Sequence, residues 1–203
     1  GTKDWGMFLK GLDNYVAHLD SKGIVYARSM YNIQHKVTPT ENGELQVHLE
    51  CERPDVEIRY TLDGTEPSAS SLKYEKDLVL TDGNVIKSAT FVKDRMMGKV
   101  LTLPLIWNKA TAKPLVNPLP GMDVLVNGVR GSLKQSDFEW YSGALSQPVV
   151  VTVDLLKTTD ISECSVGCIT NYGMAVHKPA SMVVEVSEDN VNFAEVGRTD
   201  FSK

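Results

Sequence analysis

No apolar run in this 203-residue chain approaches the roughly 20 residues that a helix needs to cross a bilayer, so no membrane-spanning segment is expected. The 21 Lys and Arg residues nowhere gather in a cluster of five or more, and the net charge is −5; the electrostatic footprint of a nucleic-acid binder is missing. The four histidines, His18, His35, His48 and His177, are dispersed, and none stands at metal-ligand spacing from another. A glycine-rich phosphate loop and a G-x-S-x-G nucleophile elbow are both absent. Cysteine is scarce and odd in number: Cys51, Cys164 and Cys168. In an extended strand the Cα atoms of Cys164 and Cys168 would lie roughly 13 Å apart, too far for a disulfide. Buried free thiols are therefore expected, and no metal site or cofactor.

What the chain does have is apolar patterning. Its hydrophobic content of 42% over 203 residues suffices to bury a core in one or two domains. From Asp4 to Asp20 the apolar positions Trp5, Phe8, Leu9, Leu12, Tyr15, Val16 and Leu19 follow helical spacing, with Asp4 placed as N-cap and Gly23 as the stop. The helix has a broad apolar face and no helical partner in the sequence, so it must dock on the β region that follows or on something N-terminal to it. Ile24 to Ile33 reads as an irregular connector. Period-two alternation then begins: Leu45, Val47 and Leu49, followed by Val56, Ile58, Tyr60 and Leu62. Asp63-Gly64 and Asp82-Gly83 mark turns, and Val85 to Val92 and Val100 to Ile106 supply further strands. These features predict a small immunoglobulin-like β-sandwich over residues 38–107. A stretch with Pro114, Pro118 and Pro120 leads into a third segment, in which Val124 to Val126, Val149 to Leu155, Ile161 to Ile169 and Met182 to Val186 are strand candidates. Asn127-Gly128 and Asp189-Asn190 are its turns.

Catalysis finds little support in these residues. A glycosidase needs two carboxylates about the scissile bond, or one acid and a group that stabilises the oxocarbenium ion. The tightest acidic groupings, Glu50/Glu52, Glu75/Asp77 and Glu188/Asp189, lie beside turns or on solvent-facing strand positions, where surface charge is the simpler reading. Two stretches invite a ligand. Ile58 to Ser68 runs from a strand into a turn whose hydroxyls can bond neighbouring backbone, which makes a rigid hairpin as well as a site. Arg130, with Trp140 and Tyr141 close behind, offers a guanidinium and aromatic faces that can hold a sugar by hydrogen bonding and stacking. The alternative is that Trp140 fills a core and Arg130 pairs with an internal carboxylate.

At these residues the chain resembles known modules. Ile58 to Ser68, with Ser70-Ser71, Tyr74 and Ile86 to Phe91, resembles the small C-terminal β domain of chitobiases and β-hexosaminidases. Val126 to Ser132, Trp140, Val151 to Leu155 and Val186 to Phe193 resemble a discoidin-like domain of the coagulation-factor 5/8 type C class, a jelly-roll β-sandwich. The helix and Leu19 to Ala27 are similar to the last helix of the (β/α)8 catalytic barrel of glycoside hydrolase family 20, in which all three pieces occur in this order.

The resemblance implies three divisions: residues 1–37 as the barrel's last helix and exit segment, 38–107 as the β domain, and 108–203 as the discoidin-like domain. It implies an accessory part of an exo-acting β-N-acetylhexosaminidase, whose modules brace the barrel or assist glycan binding, in the periplasm or at the cell surface. The expected partners are a glycan containing N-acetylhexosamine and a catalytic barrel outside this chain. In that family the substrate's own acetamido group attacks the anomeric carbon, oriented by an adjacent Asp-Glu pair. No Asp-Glu dipeptide occurs in this sequence, so no catalytic residue carries over. Asn127-Gly128 stands where discoidin domains often carry Asp-Gly, a departure that bears on a structural calcium site. The discoidin-like part also stops short of the family's closing strands, and an incomplete domain is expected there. Two other classes fit the same modules: a free-standing carbohydrate-binding or adhesion module, and the tail of another exoglycosidase such as an α-fucosidase.

Overall fold

The first helix forms where the apolar spacing predicts it, over Trp5–Ser21 (α1). The computed structural model describes residues 4–134, 138–144 and 147–201. Asp4 caps α1 by accepting the Met7 amide at 2.9 Å. At the other end Gly23 adopts φ +66°, Ile24 N–H reaches the Leu19 carbonyl at 3.0 Å and Gly23 N–H the Asp20 carbonyl at 3.1 Å. This is a Schellman stop, for which glycine is the natural residue. The apolar face divides in two. Leu9, Leu12, Val16 and Leu19 are buried or half-buried, whereas Trp5, Phe8 and Tyr15 are exposed.

The β module has two antiparallel sheets. One holds β1 (Ile33–Pro39), β2 (Leu45–Cys51) and β5 (Leu78–Leu80) in the order β1-β2-β5. The other holds β3 (Glu57–Thr61), β4 (Leu72–Lys73), β6 (Val85–Val92), β7 (Arg95–Met96) and β8 (Leu101–Pro104) in the order β4-β3-β6-β7, with β8 also along β6. Alternation places Leu45, Val47 and Leu49 of β2 in the core opposite Ile86 and Leu103 of the second sheet, and all five are 3% exposed or less. Asp63-Gly64 turns as expected: Gly64 has φ +77° and Asp63 Oδ1 accepts the Thr65 amide. The Ile58 to Ser68 hairpin is tied internally, with Thr61 Oγ1 donating to the Thr65 carbonyl at 2.7 Å.

The connector expected from Ile24 to Ile33 ends in a short 3-10 turn, Ser29–Tyr31, and delivers the chain into β1, a strand that the sequence pattern did not reveal. Its register is complete, from Ile33 opposite Cys51 to Pro39 opposite Leu45. Ile33 and Val37 enter the core, while His35 between them breaks the apolar alternation.

Tyr31 locks onto the second sheet through the hydroxyl of fully buried Thr90, which donates to the Tyr31 carbonyl at 2.7 Å and accepts the Gly98 amide at 3.1 Å. A Cβ on Gly98 would stand 2.3 Å from that carbonyl oxygen. Gly98→Ala must push Tyr31 off Thr90. A loss of about 1–3 kcal/mol is expected, read as a lower denaturant midpoint with unchanged slope.

The third segment departs from expectation. Val124 to Val126 is not a strand: Met122–Leu125 is a 3-10 turn entered through Gly121 at φ +85°. Met122, Val126 and Asn127 are buried against the β module, with Ala112 N–H bonded to the Val126 carbonyl and Ile106 N–H to the Gly128 carbonyl. Val149 to Leu155 makes only an isolated bridge, Leu115 to Val153, and Ile161 to Ile169 forms no strand. Alternation specifies a strand only where a neighbour completes the hydrogen-bond ladder; residues 114–116 give Val149 to Leu155 two backbone bonds and one bridge, and Ile161 to Ile169 pairs with no strand among the described residues. Cys164 and Cys168 are accordingly exposed free thiols, correcting the expectation of burial, while Cys51 is half-buried and free. Met182 to Val186 does form a strand, β9 (Ser181–Val186), paired with β10 (Ala194–Asp200) across a bulge between Glu195 and Gly197. Asp189-Asn190 turns between them, Asp189 accepting the Val191 and Asn192 amides. The chain is mostly β, a sandwich with an N-terminal helix.

Candidate functional site

β1 and β8 are edge strands of opposite sheets, and a cleft of about 180 Å3 opens beside them. His35 enters it from β1, Thr102 and Pro104 from β8, and Val129 and Arg130 from the segment that follows Gly128. That segment is held against the end of β8 by the Leu105–Val129 bridge. Asn127 makes the bend: its Oδ1 accepts the Val129 amide at 2.9 Å, and Gly128 takes φ +73° with no room for a side chain against the Ile106 carbonyl. Glu139 closes the cleft. Its Oε1 lies 2.9 Å from His35 Nε2, off the line of a hydrogen bond, so the imidazole nitrogen is buried without an aligned partner.

Of the three residues that the sequence singled out for sugar binding, only Arg130 lines the cleft. It is exposed and makes no ion pair among the described residues, so it does not pair with an internal carboxylate. Trp140 is half-buried outside the sandwich core. Its indole lies on the backbone of Gly131, where a Cβ would meet Cε2 at 2.4 Å, and its Nε1 donates to the Ser132 carbonyl at 2.9 Å. Its ring pins the loop that presents Arg130. Tyr141 is half-buried near Gly121 and Gly143. His35 and Glu139 escaped sequence reasoning because they are 104 positions apart and carry no motif; the only signal was a histidine between two core positions of β1.

Two further polar clusters flank the module. Asp77 accepts from Gln46 Nε2 at 2.6 Å and from the Tyr74 hydroxyl at 2.8 Å, and lies 2.8 Å from His48 Nδ1. The bonds from His48 and then Tyr74 hold the Asp77 carboxyl below its usual range, and burial pushes the Tyr74 phenol up to about 12. Tyr74 also accepts the Leu49 amide at 3.0 Å, so this cluster fastens the β4–β5 connection to β2. On the opposite side, Arg53 is 4% exposed and joins the module to α1. Its Nε and Nη2 donate to both Asp55 oxygens at 2.8 and 2.6 Å, its Nη1 donates to Asp13 Oδ1 at 2.6 Å, and its guanidinium lies 5.4 Å from the Tyr31 ring centroid. The Asp55 carboxyl is held below its ordinary range by the Arg53 bonds, and the Arg53 guanidinium is pushed further up by Asp55 and then Asp13.

With this geometry in place, comparison with known families is decisive for one part of the chain. Residues 38–102 match the family model of the chitobiase/beta-hexosaminidase C-terminal domain. No curated protein matches the chain. Over those residues the chain is similar to an accessory domain found in hexosaminidase-like enzymes. Its matched span starts inside β1 and ends inside β8, whereas the hydrophobic core also takes in Ile33, Val37, Leu103, Leu105 and Ala112. The cleft therefore sits at the rim of the matched domain. No helix among the described residues is long and apolar enough to cross a membrane, and no group of three or more His, Cys, Asp or Glu among them could hold a metal ion.

Proposed function

We propose that this chain is a non-catalytic accessory region of an exo-acting β-N-acetylhexosaminidase, its β module bracing a catalytic barrel of which α1 is the last helix. The Arg53 clamp is the observation that carries this reading. A guanidinium almost removed from water ties α1 to the chitobiase/hexosaminidase C-terminal domain through Asp13 and Asp55, while Trp5, Phe8 and Tyr15 stay open on the helix. A helix fixed on one side and apolar on the other suits an element shared between two bodies. The discoidin-like resemblance of residues 108–203 belongs to the same reading, as does a periplasmic or cell-surface setting where glycans are met. The acid and the orienting carboxylate then come from the barrel, as an Asp-Glu pair upstream of Gly1.

The isolated chain is expected to release no p-nitrophenol from p-nitrophenyl N-acetyl-β-D-glucosaminide above the uncatalysed rate, and clear turnover would overturn the reading. The same reading frame extended upstream is expected to hydrolyse the substrate. In that longer protein Arg53→Met should lower the temperature at which activity is lost.

A further inference from the structure

Two Asn-Gly pairs, Asn42-Gly43 and Asn127-Gly128, stand at turns of the β module, and the fold treats them oppositely. Thr40 N–H donates to the Glu44 carbonyl at 2.8 Å and Gly43 N–H to the Thr40 carbonyl at 3.1 Å, which makes the β1–β2 connection a tight hairpin loop, Glu41-Asn42-Gly43. Gly43 takes the closing left-handed position at φ +77°. Asn42 is exposed, and its carboxamide makes no hydrogen bond among the described residues. Asn127 is only 3% exposed and both ends of its carboxamide are engaged: Oδ1 accepts the Val129 amide at 2.9 Å, and Nδ2 donates to the Val37 carbonyl at 3.4 Å. Gly128 is held as well, its carbonyl accepting the Ile106 amide at 2.8 Å.

We propose that Asn42-Gly43 is a self-modification site, at which asparagine converts to aspartate and isoaspartate with water as the only co-reactant. The Gly43 amide nitrogen attacks Cγ of Asn42 and forms an N–Cγ bond. Its proton passes to solvent, and the side-chain nitrogen takes up a proton and leaves as ammonia. The cyclic imide so formed adds one water at either carbonyl, and opens to an aspartyl or an isoaspartyl linkage. Ring closure needs a nucleophile without a side chain beside it, a carboxamide free to turn and a backbone able to leave its turn. Asn42 has all three, since only the loop-tip bond from Gly43 N–H to the Thr40 carbonyl must open. At Asn127 the same closure must break both carboxamide bonds and free Gly128 from Ile106. The surroundings also suit the product. A Cβ on Gly43 would lie 3.9 Å from Lys113 Nζ, so an ammonium stands by a loop that already carries Glu41 and Glu44 and offsets the added carboxylate. Conversion thus adds a negative charge, and by the isoaspartyl route an extra backbone carbon, at the turn that sets β1 against β2. It is independent of the bracing role, because no residue of α1 takes part.

Incubation of the intact 203-residue chain at body temperature and mildly alkaline pH, followed by peptide mapping, tests the site. The peptide carrying Asn42 is expected to gain the mass of an amide-to-acid exchange and to split into two products. The isoaspartyl product is expected to accept a methyl group from S-adenosylmethionine when treated with a protein isoaspartyl methyltransferase. Conversion at Asn42 is expected to run about tenfold or more faster than at Asn127, which reacts only in locally opened molecules. In denaturant the two sites should react at similar rates. Asn42→Gln is expected to remove the fast conversion and, at an exposed loop position, to leave the thermal midpoint unchanged. Asn42 surviving in the folded chain for the time in which it converts in denaturant would overturn the proposal. Equal rates at the two sites in the folded chain, or aspartate as the sole product, would do the same.

Discussion

Arg53→Met is expected to release α1 from the β module while the sandwich stays folded. The substitution keeps most of the side-chain volume against Tyr31 but removes three charge-assisted hydrogen bonds, two to Asp55 and one to Asp13. Breaking a buried ion pair typically costs 3–5 kcal/mol because a charge is left stranded. Here the residues left behind, Asp13 and Asp55, are about half exposed and regain water, so about 2–3 kcal/mol is expected. Isolated helices of this length are marginal in water, and α1 without its clamp should fray. Far-UV circular dichroism is expected to show a helical transition moving below the sandwich transition. A single unchanged melt would show that the apolar contacts of Val16 and its neighbours suffice. Asp13→Asn, which leaves Arg53 paired with Asp55, should have the smaller effect.

The clamp also predicts a pH dependence. The Asp55 carboxyl titrates below its usual value because Arg53 bonds the charged form. Its stabilisation is fully present above the unfolded carboxylate value of about 3.9 and is lost as pH falls through the lower folded value. The stability that the Arg53–Asp55 pair contributes should thus be constant from neutral pH to about 5 and weaken in more acid solution, an effect that Arg53→Met abolishes.

A fragment cut to residues 38–102 is expected to remain unfolded, whereas residues 29–130 fold. The shorter piece loses Ile33 and Val37 of β1, and with them most of the ladder to β2. It also loses Leu103, Leu105 and Ala112 from the core and the Asn127 bond to the Val37 carbonyl. Each fully buried aliphatic side chain contributes about 1.5–3 kcal/mol. Removing four of them together forfeits about 6–12 kcal/mol, comparable to the whole of the roughly 5–15 kcal/mol by which a domain is stable. Amide dispersion in a heteronuclear spectrum separates the outcomes, and a dispersed spectrum from residues 38–102 would show that the flanking strands are dispensable.

How far the fold was legible follows from where each element gets its hydrogen bonds. Residues of α1 satisfy one another locally, so apolar spacing, Asp4 and Gly23 were enough to place both ends. β2 carries clear alternation because one face is buried, β3 alternates in sequence at half-buried positions, and β6 is a strand-forming run buried over residues 88–91; all three were readable. β1 was missed because His35 interrupts its apolar face, and that same histidine is the residue the cleft uses. Arg130 was legible as a lone cation in a turn-rich loop, whereas Glu139 was not, since nothing local distinguishes it from a surface carboxylate.

By itself, then, the sequence determined the helix, its caps, the main strands and the resemblance to a hexosaminidase accessory domain, all properties written within a few turns or one strand. The tertiary structure alone decided three things: that Arg53 joins Asp13 across 40 residues, that residues 105–129 complete the core of a domain matched only to residue 102, and that His35 faces Glu139. Each depends on contacts between distant segments. Hydrogen bonds and burial there are set by which edges the folded sheets leave open, and no local pattern encodes that.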